Sequence, residues 1–345
     1  MLTKNRIKWL DVCRGIGIIT VVIVHTNIAI KEYLLWFNMP LFFFLSGYFY
    51  KPRTDYIKFL KVKLIYFLVP YMVFLVLLSI PEYTSYTIQM FQDQDPEIDW
   101  IRKIIGVSIY KLYGGNNLWG WFGVFWFITC LFFTQQFYNL IYNKFGSRKM
   151  LFFGVIISFY CLAMLDQWFL KGVNFPWNIN VVAMALPFYC LGHLSARYPT
   201  NSNQKIINLA AIIIFATGII LAHWLKLNLI LNMKIKMYGI FIVNILLATS
   251  GIILVQNTSK WIGNFRYIEN ILMELGKSSL VIMYLHLLVL LTLKNVFNIE
   301  NELARIIIAL IIPYLLYKII SLNKNLRKLF LGDFKQDTVP NKSAK

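Results

Sequence analysis

The first apolar run, Trp9 to Asn27, constrains this chain more than any other stretch. It is long enough to cross a bilayer, which takes about 20 residues. Yet it contains Asp11, Arg14 and His25. Ionisable side chains in a lipid-spanning helix are costly, so they usually face a protein interior or a wet cavity and mark function. The run therefore predicts a membrane helix that contributes charged groups to a functional site.

Helical geometry predicts that these three side chains share one face. At 100° per residue Arg14 and His25 lie only about 20° apart on the helix, and Asp11 lies about 40° from His25. Along the axis, Arg14 and His25 are separated by roughly 16 Å. This predicts a charged group near one membrane face and a proton-transfer group deeper inside. The alternative is an ordinary span whose interfacial end is anchored by snorkelling side chains.

The composition of the chain is typical of a membrane protein. Hydrophobic residues make up 59% and charged residues 14%, against about 45–50% and 25% in soluble proteins. We predict an all-α polytopic membrane protein with about ten transmembrane helices and both termini cytoplasmic. The ten candidate runs are approximately 9–29, 33–50, 62–80, 119–142, 150–167, 178–196, 206–224, 237–256, 271–293 and 303–321. The apolar run at residues 104–113 is too short to span the bilayer. We therefore predict an interfacial helix or a re-entrant segment there.

The net charge of +19 could suggest a nucleic-acid partner, but membrane topology accounts for it. With the N-terminus inside, most Lys and Arg fall in cytoplasmic segments, as the positive-inside rule requires. The loop with Lys226, Lys234 and Lys236 departs from this pattern. We predict a transmembrane domain over residues 1–321, a basic cytoplasmic tail over 322–345, a lipid bilayer as partner and no nucleic acid.

Other spans also contain polar groups that lipid would not tolerate. Asn38 precedes Pro40 in the second run, and Ser46 and Tyr48 close that run. Lys277 and His286 lie in the ninth run, which crosses in the same direction as the first, so His25 and His286 could face one cavity.

The longest predicted outside loop, about 81–118, combines carboxylates with aromatic residues. It carries Glu82, Asp93, Asp95, Glu97 and Asp99 and leads into an aromatic, glycine-rich segment at 113–121. Aromatic faces flanked by carboxylates commonly hold sugar rings. The alternative is an interfacial aromatic belt beside a solvated acidic loop.

Five blocks of this sequence resemble, in order, the signatures of the integral-membrane acyltransferase-3 family, in the branch related to fucose 4-O-acetylases. The blocks are D-V-C-R-G-I-G-I-I-T-V-V-I-V-H (11–25), N-M-P-L-F-F-F-L-S-G-Y (38–48), K-V-K-L-I-Y-F-L-V-P-Y (61–71), F-W-F-I-T-C-L-F (125–132) and L-G-K-S-S-L-V-I-M-Y-L-H (275–286). The resemblance covers residues 7–321. Two departures concern ligand binding: Asn38 stands where the family often has His, and Lys63 and Tyr66 stand where it often has two arginines.

The resemblance implies a multi-pass acyltransferase of the cell membrane that moves an acetyl group from acetyl-coenzyme A to a sugar hydroxyl of an envelope or exported glycan, without a metal. His25 would be the general base or would accept the acetyl group itself, and Asp11 would orient Arg14. The residues expected to bind the phosphates of coenzyme A are Arg14, Lys58, Lys61, Lys63 and Lys277. The residues expected to contact substrate are Asn38, Ser46, Tyr48, Glu82, Trp126 and His286.

Two other classes of function suit a multi-span protein with intramembrane charges. One is a transporter or flippase for a glycan or an acylated intermediate. The sequence shows neither the repeated halves nor the paired broken helices of many transporters. The other is a structural or sensory membrane protein.

Overall fold

The computed structural model describes residues 7–92, 99–198 and 203–334, and its regular elements are helices. The α-helices are α1 (Lys8–Val24), α2 (Lys31–Leu35), α3 (Asn38–Tyr48), α4 (Tyr56–Gln92), α5 (Trp100–Tyr113), α6 (Trp126–Phe145), α7 (Lys149–Phe169), α8 (Val182–Arg197), α9 (Gln204–Trp224), α10 (Val243–Ile262), α11 (Arg266–Asn295), α12 (Glu302–Leu322) and α13 (Lys324–Leu331). Short 3₁₀ helices cover Gly115–Asn117, Gly120–Val124 and Pro176–Val181.

Seven helical segments in the described part of the chain are long and apolar enough to cross a membrane. They are Tyr56–Gln92, Gly120–Phe145, Lys149–Phe169, Pro176–Arg197, Gln204–Trp224, Arg266–Asn295 and Glu302–Leu322. The prediction of an all-α protein with many membrane-spanning helices is confirmed. The number of ten spans and the cytoplasmic position of both termini stay predictions.

The first predicted span ends earlier than expected, at Val24 instead of residue 29. The N–H groups of His25 and Thr26 bond to carbonyls three residues back, at 3.2 Å and 3.0 Å. The Thr26 hydroxyl donates to the Ile23 carbonyl at 2.6 Å. Bonds over three residues tighten and close a helix. His25 is therefore the residue that ends α1 and not a residue of its interior.

The second predicted span, 33–50, is two helices, α2 and α3, separated at Trp36 and Phe37. Pro40 does not lie at this separation but in the first turn of α3. The N–H groups of a first turn have no partner within the helix, so the missing N–H of proline costs little there.

Helical structure continues beyond the predicted limits in two places, after the third predicted span and after the predicted transmembrane domain. The third span was expected at 62–80, but α4 runs for 37 residues and includes Pro70 and Pro81. The predicted tail begins with α13, whose Phe330 ring lies 5.4 Å from the ring of Phe74 in α4. The part of the tail after residue 334 lies outside the described residues.

Glycines allow the closest helix contacts of the fold. A Cβ on Gly15 of α1 would overlap the backbone oxygen of Leu272 in α11, and one on Gly276 of α11 would overlap the backbone oxygen of Asp11. The contact is therefore reciprocal, and each glycine admits the backbone of the other helix. Small residues that let backbones approach are the usual device for packing helices in lipid.

The same device joins α3 to α8. Gly47 lies against the carbonyl of Tyr189, and Gly192 lies against the carbonyl of Phe44. The two glycine contacts bring four helices together around the polar residues of the first two sequence runs.

The loop that broke the positive-inside pattern contains a buried lysine. Lys236 is 1% exposed, donates to the carbonyls of Leu170 and Val173, and lies 3.8 Å from Asp166 Oδ1. A buried ammonium requires such partners. The charge of Lys236 therefore stabilises the loop, and its position in the sequence does not indicate the orientation of the loop in the membrane.

We expect Gly276→Ala to destabilise the protein by about 1–3 kcal/mol, as overpacking does in tightly packed cores. The added methyl group would force α1 and α11 apart. The measurement is the midpoint of thermal unfolding in one detergent. Gly154→Ala is the matched control, because a Cβ at this helical position meets nothing within 4 Å. Equal midpoints for the two variants would contradict the close contact.

Candidate functional site

A cavity of about 1800 Å³ lies between α1, α3, α4, α6 and α11. Asp11, Arg14 and His25 all line it. The prediction that these side chains share one face of the first helix is therefore confirmed, although His25 caps that helix and follows its last residue, Val24.

The cavity is strongly basic. Seven of the described residues that line it are lysine or arginine, against two aspartates, Asp11 and Asp55. The seven are Arg14, Lys51, Arg53, Lys58, Lys63, Lys234 and Lys277. Residues 51–55 and Lys58 are exposed, so the cavity opens to solvent at the start of α4. An anion would be attracted to this entrance.

Arg14 lies between a carboxylate and an aromatic ring. Its Nη1 is 3.6 Å from Asp11 Oδ1, and its guanidinium carbon is 4.9 Å from the centre of the Phe49 ring. The Asp11 side chain is 4% exposed, whereas that of Arg14 is 34% exposed. Asp11 therefore pairs with Arg14, while part of the guanidinium stays open to the cavity.

Lys63 and Lys277 line the same cavity from α4 and α11. The Lys63 ammonium lies 5.6–5.9 Å from the ring centres of Phe59, Tyr66 and Phe67. Lys277 makes an ion pair with Glu274 at 2.5 Å. Lys61 was also expected to bind the phosphates of coenzyme A. It is exposed on α4 and is not among the residues that line the cavity.

Two histidines lie side by side at the end of α1. The ring centres of His25 and His286 are 5.2 Å apart. His286 is fully buried, and its Nδ1 is 2.9 Å from the Ile282 carbonyl. A carbonyl only accepts hydrogen bonds, so Nδ1 carries a hydrogen and Nε2 presents its lone pair when the ring is neutral. His286 is thus fixed in one orientation, whereas His25 is exposed to the cavity.

No sequence motif identified Lys234 as a site residue. Lys234 lines the cavity, donates to the Leu118 carbonyl at 2.8 Å, and lies 5.2 Å from the centre of the Trp119 ring. Burial lowers the pKa of Lys234 to about 8. The only feature of the sequence that set Lys234 apart was its departure from the positive-inside pattern. That departure does not indicate which way the side chain points.

Several predicted substrate-binding residues also line the cavity: Asn38, Ser46, Tyr48 and Trp126. The Ser46 hydroxyl accepts from Gln135 Nε2 at 2.8 Å. Gln135 lines the cavity too, and no sequence motif pointed to it. These polar groups lie along the wall between the basic entrance and the histidines.

Glu82 lies elsewhere. Its Oε2 is 2.6 Å from Lys111 Nζ, and it lines a smaller groove beside α5. Asp99 begins α5 by accepting from the Arg102 N–H at 2.9 Å. The other predicted loop carboxylates, Asp93, Asp95 and Glu97, lie outside the described residues.

Comparison with known proteins identifies a family. A family model described as an acyltransferase domain, Acyl_transf_3, matches residues 7–321. No curated protein and no solved structure matches the chain.

Val24 and its neighbour Ile23 are both half-buried, but only Val24 lines the cavity. We therefore expect the side chain of Val24 to face water and that of Ile23 not to. Val24→Cys should react with a water-soluble cationic thiosulfonate, whereas Ile23→Cys should stay unlabelled, since a thiol in lipid does not ionise. The measurement is the mass shift of each variant in a Cys161→Ser background, where the three remaining native cysteines are buried. Equal labelling at both positions would contradict a water-filled cavity.

Proposed function

Because this chain belongs to the acyltransferase-3 family and is a membrane acyltransferase, we propose that it is an O-acetyltransferase. It transfers an acetyl group from acetyl-coenzyme A to a sugar hydroxyl of an envelope or exported glycan at the cell membrane. One observation carries this proposal: a single cavity connects a basic entrance to an exposed histidine, His25, that has a second histidine beside it.

The entrance suits coenzyme A as donor. Its phosphates are anionic, and Lys58, Lys63 and Arg14 offer cationic donors around the opening. Charge-assisted hydrogen bonds to phosphate are among the stronger polar contacts that proteins make. The flexible arm between the phosphates and the thioester would then follow the cavity towards His25, roughly 16 Å from Arg14 along α1.

The length of α4 supports an approach of donor and acceptor from opposite sides of the bilayer. Lys58 lies near the start of α4 and Glu82 lies 24 residues later in the same helix. That is about 36 Å at 1.5 Å per residue, which exceeds the hydrocarbon thickness of about 30 Å. Trp119 lines both the cavity and the groove that contains Glu82. The cavity and the groove, which share Trp119, together extend from the basic entrance towards the other end of α4.

His25 has the chemistry that the transfer needs. As general base it removes the proton of the sugar hydroxyl while the oxygen attacks the thioester carbonyl. The new C–O bond forms, the C–S bond breaks, and the imidazolium returns the proton to the departing thiolate. In the alternative route the imidazole of His25 attacks the thioester carbonyl, a C–N bond forms as the C–S bond breaks, and coenzyme A departs as the thiolate. The sugar oxygen then attacks the acetyl-imidazole, the C–N bond breaks, and the hydroxyl proton passes to the thiolate.

Both routes place negative charge on the carbonyl oxygen in the transition state. Fixed donors aimed at such an oxygen are commonly worth a large part of the rate enhancement. Ser46, Tyr48 and Lys234 line the cavity and carry suitable groups. One of the three N–H groups of Lys234 is used on the Leu118 carbonyl.

We expect His25→Ala to lower acetyl transfer by about 10²–10⁴-fold, the usual contribution of a positioned acid–base group. The measurement is transfer of radiolabel from acetyl-coenzyme A to envelope glycan by purified protein. His223→Ala is the matched control, because His223 is exposed on α9 and does not line the cavity. Undiminished transfer by His25→Ala would exclude both chemical routes.

The donor site predicts a second result. Lys58→Gln and Lys63→Gln should each raise the KM for acetyl-coenzyme A by up to roughly fivefold, because an exposed ion pair is worth at most about 1 kcal/mol. Neither should change the KM for acetyl-pantetheine, which lacks the nucleotide phosphates.

Lys61→Gln is the control on the same helix and should leave both KM values unchanged. An equal rise for both donors, or the same rise in Lys61→Gln, would show that the entrance does not hold the phosphates.

A further inference from the structure

A second concave surface adjoins the cavity at Trp119. This groove, about 520 Å³ in volume, lies between the second half of α4, α5 and the segment that leads into α6. Its volume falls in the range of small-molecule sites, about 300–1000 Å³. Trp119 lines both the groove and the cavity, so the two surfaces share one wall.

Trp119 is exposed at this junction and is not buried in the core. The residue is 71% exposed, and Lys234 Nζ lies 5.2 Å from the centre of its ring. The next residue, Gly120, has a φ of +58°, a conformation that costs glycine little. The chain therefore turns directly after Trp119, and the contact with Lys234 holds the ring on the cavity side.

The opposite wall of the groove is a rigid polar network. Lys111 is 7% exposed and donates to Glu82 at 2.6 Å and to Ser79 at 2.9 Å. The second oxygen of Glu82 accepts from the Tyr86 hydroxyl at 2.9 Å. Such mutual hydrogen bonds keep the wall in one conformation.

The rest of the lining combines the apolar side chains Val107, Leu118 and Phe122 with groups suited to hydroxyls. Lys103, Tyr110 and Asn117 line the groove together with the exposed ring of Trp119. An apolar ring face with hydrogen-bonding groups around it matches a sugar, which has an apolar C–H face and hydroxyls at its edge. The groove is therefore chemically matched to a carbohydrate and continuous with the cavity that contains His25.

We propose that this groove binds the sugar unit next to the one that is acetylated, with the glycosidic link crossing Trp119. The acceptor is therefore a chain of at least two sugars and not a free monosaccharide. This inference rests on the proposed O-acetyltransferase function and adds an acceptor subsite to it.

Gly106 provides the test. It lines the groove from α5, and a Cβ there meets nothing within 4 Å. Gly106→Phe should therefore fill the groove without displacing the backbone. Gly154→Phe is the matched control, since Gly154 is also helical and has the same free space but lies in α7, away from the groove.

The assay compares acceptors of different length with radiolabelled acetyl-coenzyme A as donor. The acceptors are saccharides of one to six units obtained by partial acid hydrolysis of the envelope glycan. Wild type should prefer chains of two or more units by roughly tenfold in kcat/KM, equivalent to about 1.4 kcal/mol. Gly106→Phe should lose this preference while keeping its transfer to the monosaccharide, which also reports that the variant is folded. Trp119→Ala should lose the preference as well, with slower transfer to both kinds of acceptor, because Trp119 also lines the cavity.

Gly154→Phe and Trp224→Ala should keep the preference, since Trp224 is 75% exposed and lines neither surface. Equal use of monosaccharide and chain by wild type, or an intact preference in Gly106→Phe, overturns the subsite. Wild type that acetylates none of the saccharides overturns the O-acetyltransferase proposal itself, which is a separate result.

Discussion

The close approach of the α1 and α11 backbones is the contact on which the site depends. Gly15 and Gly276 each receive a backbone oxygen of the opposite helix, so the two helices lie nearer than larger side chains would allow. This contact brings Lys277 to the cavity that Asp11 and Arg14 line at one end. At the other end it brings His286 beside His25. One local packing feature thus sets the spacing of groups that are more than 250 residues apart in the chain.

Charges inside this membrane protein are arranged in two ways. Structural charges are paired and buried: Lys236 with Asp166 and two carbonyls, and Lys111 with Glu82 and Ser79. Charges of the cavity are partly open, as Arg14 shows beside Asp11. Desolvating an unpaired charge is expensive, so the open group is the one positioned to bind an anion. The same reasoning separates Lys234, which faces the cavity, from Lys236 two residues later.

The cavity changes character along its length, which is consistent with the proposed reaction between an anionic donor and a carbohydrate acceptor. The entrance at the start of α4 is basic, the middle carries hydroxyl and amide groups, and the far end carries His25 and tryptophan, with the buried His286 behind His25. Family membership establishes acyl transfer. The polarity of the cavity is the physical reason for proposing that the donor binds at one end and the acceptor at the other.

The sequence by itself determined the all-α membrane class and the shared face of Asp11, Arg14 and His25. Hydrophobicity and the helical repeat are local properties that backbone hydrogen bonding makes predictable. Only the tertiary structure decided where α1 stops and which lysines of α4 meet the cavity. It alone brought Lys234 and Gln135 to the site and moved Glu82 into a neighbouring groove. These outcomes depend on which helix faces pack together, and contacts between residues distant in sequence set that packing.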